Sequence, residues 1–451
     1  MANTVDHLPK QKPEPSSTEG ADPRTATEEQ VAPEMGSAAQ IKEHRGISWN
    51  THSILTRTAL ESVESGQLDG RVPVLPLEDF LHTVREGIRF LVGWYWDTLG
   101  RKTGTKPHVW AIPRDVDTVD QFLKALKLNP SLSIPYVRVM RPEEIGPAAA
   151  HNPGRSGPPG RAYVPTPYEE QISPREILCT FSDEPDWGMD QDLFVVRDYA
   201  YGPVPFGSAT GKSSQAAFHM AFLHEPALIT AVWPGLRRSF MEERIRVCLA
   251  LARLAFKAEA HYWGWRFLSW AMHYIQDLTQ PYHAKAFPPS LGSLLRRFML
   301  DPNPAGFAQR NANLLKNHHI LFESVAHYLL NEALKKDPDA MLLSVIRQSG
   351  ESRSPTVRSL MERESRISAS LAARCDRALV KMVDDKRLDA KDFTLDEGAE
   401  FLLQETMLGA TQDRPRQYGA FTELLGRSLA QAGAVTRYCL RTIEVFPGRR
   451  E

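Results

Sequence analysis

The chain has 451 residues, with 54 basic and 55 acidic side chains and a formal charge of −1. That length suits two or three domain-sized units or one large helical core, and the near-zero charge excludes a protein that grips nucleic acid mainly by bulk electrostatics. Four cysteines, Cys179, Cys248, Cys375 and Cys439, lie far apart with no CxxC pairing, so they read as reduced core residues, neither a disulfide framework nor a zinc finger.

Residues 1–45 are polar and rich in Pro, Glu, Ser and Thr, with no apolar run long enough for a signal peptide, and predict a disordered tail. No uncharged apolar stretch approaches the roughly 18 to 20 residues that span a bilayer. The expectation is a soluble or peripheral chain, cytoplasmic as written; export would require a start other than Met1.

Order is expected from about Gly46, with a helix in "ISWNTHSILTRTALESV" on the spacing of Ile54, Leu55, Thr58 and Leu60, and a second in "LEDFLHTVREGIRFLVGWYWDTL". Residues 100–174 carry too many Pro and Gly for a continuous helix and predict a surface insertion, with a short helix at "TVDQFLKAL" and a strand at "PYVRVM". An acidic loop, "SDEPDWGMDQD", and a Gly/Pro-rich connection follow. A long helix is expected from Arg238 to Gln280, stopped by Pro281, and another from Ala305 to Lys335. Residues 336–451 read as three or four amphipathic helices, one of them on the stripe Ile367, Leu371, Cys375, Leu379 and Met382. Strand signals are few, so the expected class is mainly α.

Two helical pairs carry the chemistry. His273 and Asp277 are four residues apart, so their side chains emerge on one face of the long helix. His319 and Glu323 repeat that spacing inside the apolar "NHHILFESVAHYLL". Imidazole and carboxylate both bind zinc at about 2.0 to 2.2 Å, and three such ligands leave a position for water. His283 lies just past Pro281, where the chain can turn back. His318 is the poorer ligand, and His327 a reserve or a packing histidine. The same residues in isolation would read as helix-surface ion pairs or satisfied core histidines.

The pattern HxxxDxxxPxH, met by His273, Asp277, Pro281 and His283, with a downstream HxxxE at His319 and Glu323, resembles the zinc-dependent phospholipases C and the single-strand-specific zinc nucleases that share their fold. The resemblance implies a multi-helix core over residues 46–335, with two or three zinc ions. In that family the first histidine and the aspartate bind one zinc, the aspartate bridges to another, and the later histidines with the last carboxylate hold the remaining one. Upstream, it implies His52 as an early ligand, an aspartate from the acidic loop, and a histidine in "QAAFHMAF". Asp186 is the choice in the loop, with Asp183 and Asp190 competing, and His219 precedes His224. The family's processed N-terminal tryptophan has only an internal counterpart, Trp49, which cleavage after Ser48 would expose.

"GSATGKSS" fails as a phosphate loop, since the pattern needs glycine where Phe206 stands. The aromatic run around Trp263, Trp265 and Trp270 reads as core packing. The resulting expectation is a phospholipase C-like phosphodiester hydrolase, with Asp186 and Asp277 in the catalytic roles. A phospholipid headgroup is the preferred substrate, reached by peripheral membrane contact. The rivals are a nuclease or nucleotidase of the same fold and a non-catalytic, metal-stabilised interaction protein. Oligomeric state stays open.

Overall fold

A computed structural model of the chain describes residues 51–64, 66–105, 112–139, 163–206, 215–288, 307–337, 339–350, 352–383 and 397–444, with single positions between 292 and 299. The expected tail, Trp49, the "GSATGKSS" stretch and residues 140–162 lie outside them. The described residues are mainly α. Helix α1 (Thr51–Glu61) is followed by α2 (Gly66–Asp69), α3 (Leu77–Thr83), α4 (Arg85–Thr103), α5 (Val119–Ala125), α6 (Pro174–Phe181), α7 (Ala216–His219) and α8 (Ala227–Val232). Then come α9 (Met241–Lys257), α10 (His261–Asp277), α11 (Pro281–Ala284), α12 (Phe307–Lys336), α13 (Met341–Gln348), α14 (Val357–Val383), α15 (Glu397–Asp413) and α16 (Pro415–Glu444). Two short antiparallel ribbons complete the set. β1 (Val72–Pro73) pairs with β4 (Gln171–Ile172), and β2 (Val137–Val139) pairs with β3 (Tyr163–Pro165), Arg138 facing Val164.

Helix α10 is the axis of the molecule. Every residue from Tyr262 to Asp277 is buried, and the helix packs on α9, α6 and α16. Its aromatic run is core, as its composition suggested: Trp263 stacks with Phe80, Phe267 lies tilted against the same ring, and Phe122 lies against Phe267 and Trp270. A second apolar core joins Ile54 and Leu55 of α1 with Phe322 of α12, Leu343 of α13, Leu379 of α14 and Phe421 of α16. The chain passes from one core to the other between Leu278 and Tyr282. Asp277 and His283 flank that crossing, so the polar centre sits on the seam between two apolar bodies.

Several expectations change. The long helix is two helices: Glu259 adopts a left-handed φ of 58°, and the Ala260 amide caps back onto the Ala255 carbonyl. The chain thus folds α10 against α9 without glycine or proline at the corner. Gly264 permits the packing, because a Cβ there would lie 2.7 Å from the Phe256 ring. Nor does Pro281 stop the helix, which ends at Asp277; Pro281 opens α11, capped by the Gln280 side chain accepting from the Tyr282 and His283 amides. The second predicted helix breaks at Val84 into α3 and α4. The short helix and the strand expected within 100–174 are present, but Phe122, Leu123, Leu126 and Val137 are core, not surface. On α14 the stripe holds except for Ile367, which is 40% exposed. All four cysteines are buried and none forms a disulfide.

The acidic loop is not solvated. Glu184 is fully buried, accepting from Arg266 Nε at 2.8 Å and from Trp270 Nε1 at 2.6 Å. Asp190 is fully buried against Arg244 Nε at 2.7 Å, and Arg244 also donates to Tyr95 and to the Leu126 and Lys127 carbonyls. Paired, hydrogen-bonded charges are tolerated where lone ones would be expelled. These two pairs fix the turn that carries Asp186.

Candidate metal centre

Five segments meet at the seam. Helix α1 supplies His52 from its first turn, and Asp183 Oδ1 accepts the neighbouring Ser53 amide at 3.2 Å, tying α1 to the acidic loop. A 3-10 turn, Glu184–Trp187, supplies Asp186, and α7 ends on His219. Helices α10 and α11 supply His273, Asp277 and His283, while α12 supplies His319 and Glu323.

Their donor atoms fall into three groups that can hold metal ions: His52, His273 and Asp277; Asp186, His219 and His273; and His283, His319 and Glu323. In the middle of the site, His219 Nδ1 is 3.0 Å from Asp277 Oδ2 and 3.0 Å from His273 Nε2. Asp186 Oδ1 is 3.7 Å from the former nitrogen and 3.6 Å from the latter, and His273 Nε2 is 3.4 Å from Asp277 Oδ2. Ligands held tetrahedrally at about 2.1 Å lie roughly 3.4 Å apart, and these five separations bracket that edge. The other Asp277 oxygen, Oδ1, is 3.5 Å from His52 Nε2. One carboxylate therefore faces two candidate positions. The third group is tighter, with His283 Nε2 at 3.1 Å from His319 Nε2 and 3.2 Å from Glu323 Oε1, and His319 to Glu323 at 2.9 Å.

Outer contacts decide which nitrogens are free. The Nδ1–H of His273 donates to the Ser182 carbonyl at 2.7 Å, leaving Nε2 with its lone pair. Asp190 Oδ2 lies 3.4 Å from His219 Nε2, a partner for the proton there when Nδ1 turns its lone pair to a cation. Two imidazole lone pairs then face each other across 3.0 Å in a buried site. They require a proton or a metal cation between them. Carboxylate partners on the far nitrogen of a histidine are the usual second sphere of metal sites.

The electrostatics say the same. Burial would lower the His219 pKa, yet hydrogen bonds to Asp190 and Asp277 push it up to about 10. His283 is likewise pushed up to about 9 against burial by Asp277 and Glu323. Burial, assisted by the neighbouring His273, holds His52 down at about 4, and burial does the same to His273. Without a cation the site takes up protons where its carboxylates are densest. Solvent reaches one side of the site: the side chains of Asp186, His319 and Glu323 are 24%, 18% and 28% exposed, whereas His273 is fully buried.

The structure brings together all eight residues singled out from the sequence and separates their competitors. Asp183 ties α1 to the loop and Asp190 backs His219, so Asp186 is the loop carboxylate that faces the site. His224 points away, its Nε2 against the Ser365 hydroxyl and the Glu362 carbonyl on α14. His318 bonds Asp376, and His327 packs against Asn331. Sequence reasoning missed Gln276, whose Oε1 accepts from His52 Nδ1 at 2.8 Å, and Gln280, whose Nε2 donates to Glu323 at 3.2 Å. The available signal was two glutamines, four apart, in an apolar stretch. No family model matches the sequence, no curated protein matches it, and no solved structure matches the chain.

Proposed function

We propose that the protein is a zinc-dependent phosphoesterase, resembling the phospholipases C in its reaction: hydrolysis of a phosphodiester by an activated water. The observation that carries the reading is the Asp277 carboxylate, whose Oδ2 faces the His219 and His273 nitrogens while Oδ1 faces His52. The His/carboxylate donor set without thiolates fits zinc in a catalytic role better than a structural one, which is generally closed and Cys-rich. When bound, zinc ions supply Lewis acidity toward phosphoryl oxygen and bring the pKa of a coordinated water toward about 7.

The protein's own groups do the rest. Asp186 stands at the open side, and burial, against the pull of His219 and His52, raises its carboxyl above the usual range; that suits it to orient the attacking water and accept its proton. Asp277 stays ionised: burial opposes this, but His283 and His273 hold its carboxyl well below the usual range. His319 and Glu323 line the same open side, where a phosphate group enters. The three carboxylates favour a cation-bridged phosphate over a bare one, since an anion approaching them alone is repelled.

Phospholipid headgroup esters are preferred over nucleic acid because the chain carries no net basic charge. Among the described residues no helix is long and apolar enough to cross a membrane, so access to lipid would be from the surface. Zinc content measured by mass spectrometry, with an activity panel of a choline phosphodiester, single-stranded DNA and a nucleoside monophosphate, tests the reading. Zinc-dependent turnover of the choline ester supports it. Turnover confined to DNA or the monophosphate moves the protein to the nuclease branch, and zinc without any turnover leaves a metal-stabilised scaffold.

A further inference from the structure

Residues beyond 335 are not covered by the zinc-hydrolase resemblance, yet their helices reach the supports of the site at several points. Gln276, 2% exposed, lies on α10 directly before Asp277. Its Oε1 accepts from His52 Nδ1 at 2.8 Å, and its Nε2 donates to Thr56 Oγ1 at 3.0 Å and to Thr436 Oγ1 of α16 at 2.8 Å. Both hydroxyls are fully buried. Thr436 spends its one proton on the Ala432 carbonyl at 2.7 Å, and Thr56 directs its own at Met272 Sδ, 3.6 Å away. Both must therefore accept from Gln276. That fixes the carboxamide with NH2 toward the threonines and oxygen toward His52. An oxygen there can only accept, so His52 carries its proton on Nδ1 and presents the Nε2 lone pair to Asp277 Oδ1, 3.5 Å away.

The neighbouring contacts hold the same stretch. Ser368 Oγ of α14 donates to the Leu278 carbonyl at 2.7 Å, and Ser428 Oγ of α16 to the Thr279 carbonyl at 2.7 Å. Asp376 Oδ1 of α14 accepts from Tyr282 at 2.9 Å and from His318 Nδ1 at 2.7 Å; each of those residues immediately precedes a member of the third group.

We propose that Thr436 and Gln276 are positioning residues for the His52 metal position, and that the C-terminal helices thereby serve as the outer sphere of the metal centre. The inference rests on the reading that the three groups hold metal. Its structural content is a relay: Thr436 orients the Gln276 amide, the amide sets the His52 tautomer, and the tautomer decides whether Nε2 can ligate. Outer-sphere partners of this kind change metal affinity by about 10- to 100-fold.

The test uses the full chain, stripped of metal and titrated with zinc ion against a chromophoric chelator. Thr436→Val keeps the side-chain shape and removes the acceptor, so the amide is free to turn over. One zinc equivalent should weaken about 10- to 100-fold, the equivalent held by His283, His319 and Glu323 should be unchanged, and Thr436→Ser should restore the wild-type isotherm. Nitrogen-15 NMR of His52 in the metal-free protein reads the tautomer directly: Nδ1–H in the wild type, a mixture in the variant. Thr56→Val frees the same amide from the other side and carries the test if Thr436→Val does not fold. A wild type that binds zinc beside folded variants with unchanged isotherms and unchanged tautomer overturns this inference alone. A wild type that binds no zinc overturns the metal reading and this inference with it.

Discussion

Replacing Asp277 with Asn is the sharpest perturbation the structure offers, because it changes one charge and almost no volume at the point where the two candidate positions meet. The carboxylate is 3% exposed, 3.0 Å from His219 Nδ1, 3.0 Å from His283 Nδ1 and 3.5 Å from His52 Nε2. A unit charge removed about 3 Å from a bound cation forfeits about 5 kcal/mol at an effective dielectric near 20, which corresponds to roughly four powers of ten in affinity. The new amide also presents N–H groups to nitrogens whose lone pairs are needed by a metal. The variant should keep its helical circular-dichroism spectrum, lose at least one equivalent of zinc by mass spectrometry, and lose turnover of a choline phosphodiester by at least about 10³-fold. A zinc-replete Asp277→Asn protein with wild-type turnover would refute the assignment of Asp277 and the bridging geometry behind it.

Glu323→Gln removes the only carboxylate of the third group; it should cost one zinc equivalent while leaving the other positions filled, and loss of every equivalent would contradict the independence of that group. Because His219 and His283 sit at about 10 and about 9 in the metal-free protein while His52 and His273 sit at about 4, zinc binding at neutral pH must displace protons from the first two. Affinity should therefore rise with pH from about 6 until it levels between pH 9 and 10, and calorimetry in buffers of different ionisation enthalpy should show release of about two protons; no release at pH 7 would count against the protonation pattern. Arg244→Ala leaves Asp190 buried without its cation and should destabilise the fold by about 3 to 5 kcal/mol, measured by urea denaturation. A change below about 1 kcal/mol would show that the pair is not a structural pin.

The two i, i+4 pairs were legible because helix geometry alone puts His273 over Asp277 and His319 over Glu323. His52, Asp186 and His219 came from separate segments, and only the resemblance placed them with the pairs; the structure brings their donor atoms to the same seam. The choice of Asp186 over Asp183 and Asp190 could not be read locally, since it depends on buried partners more than 50 positions away, Ser53 and Arg244. For the same reason the burial of the acidic loop was not legible: nothing in "SDEPDWGMDQD" announces Arg266. The corner at Glu259 was hidden because a non-glycine residue adopts the left-handed conformation there, stabilised by the packing of Phe256 over Gly264. The mainly α class and the core role of the aromatic run were readable from periodicity, which survives whatever the tertiary contacts turn out to be.

Anomalous diffraction at the zinc edge from crystals of the full chain tests the central claim most directly. The account predicts one peak among His219 Nδ1, His273 Nε2, Asp186 Oδ1 and Asp277 Oδ2, one beside His52 Nε2 and Asp277 Oδ1, and another among His283, His319 and Glu323, each about 2.0 to 2.2 Å from its ligands. Crystals grown with zinc that show no peak in any of these places would contradict it.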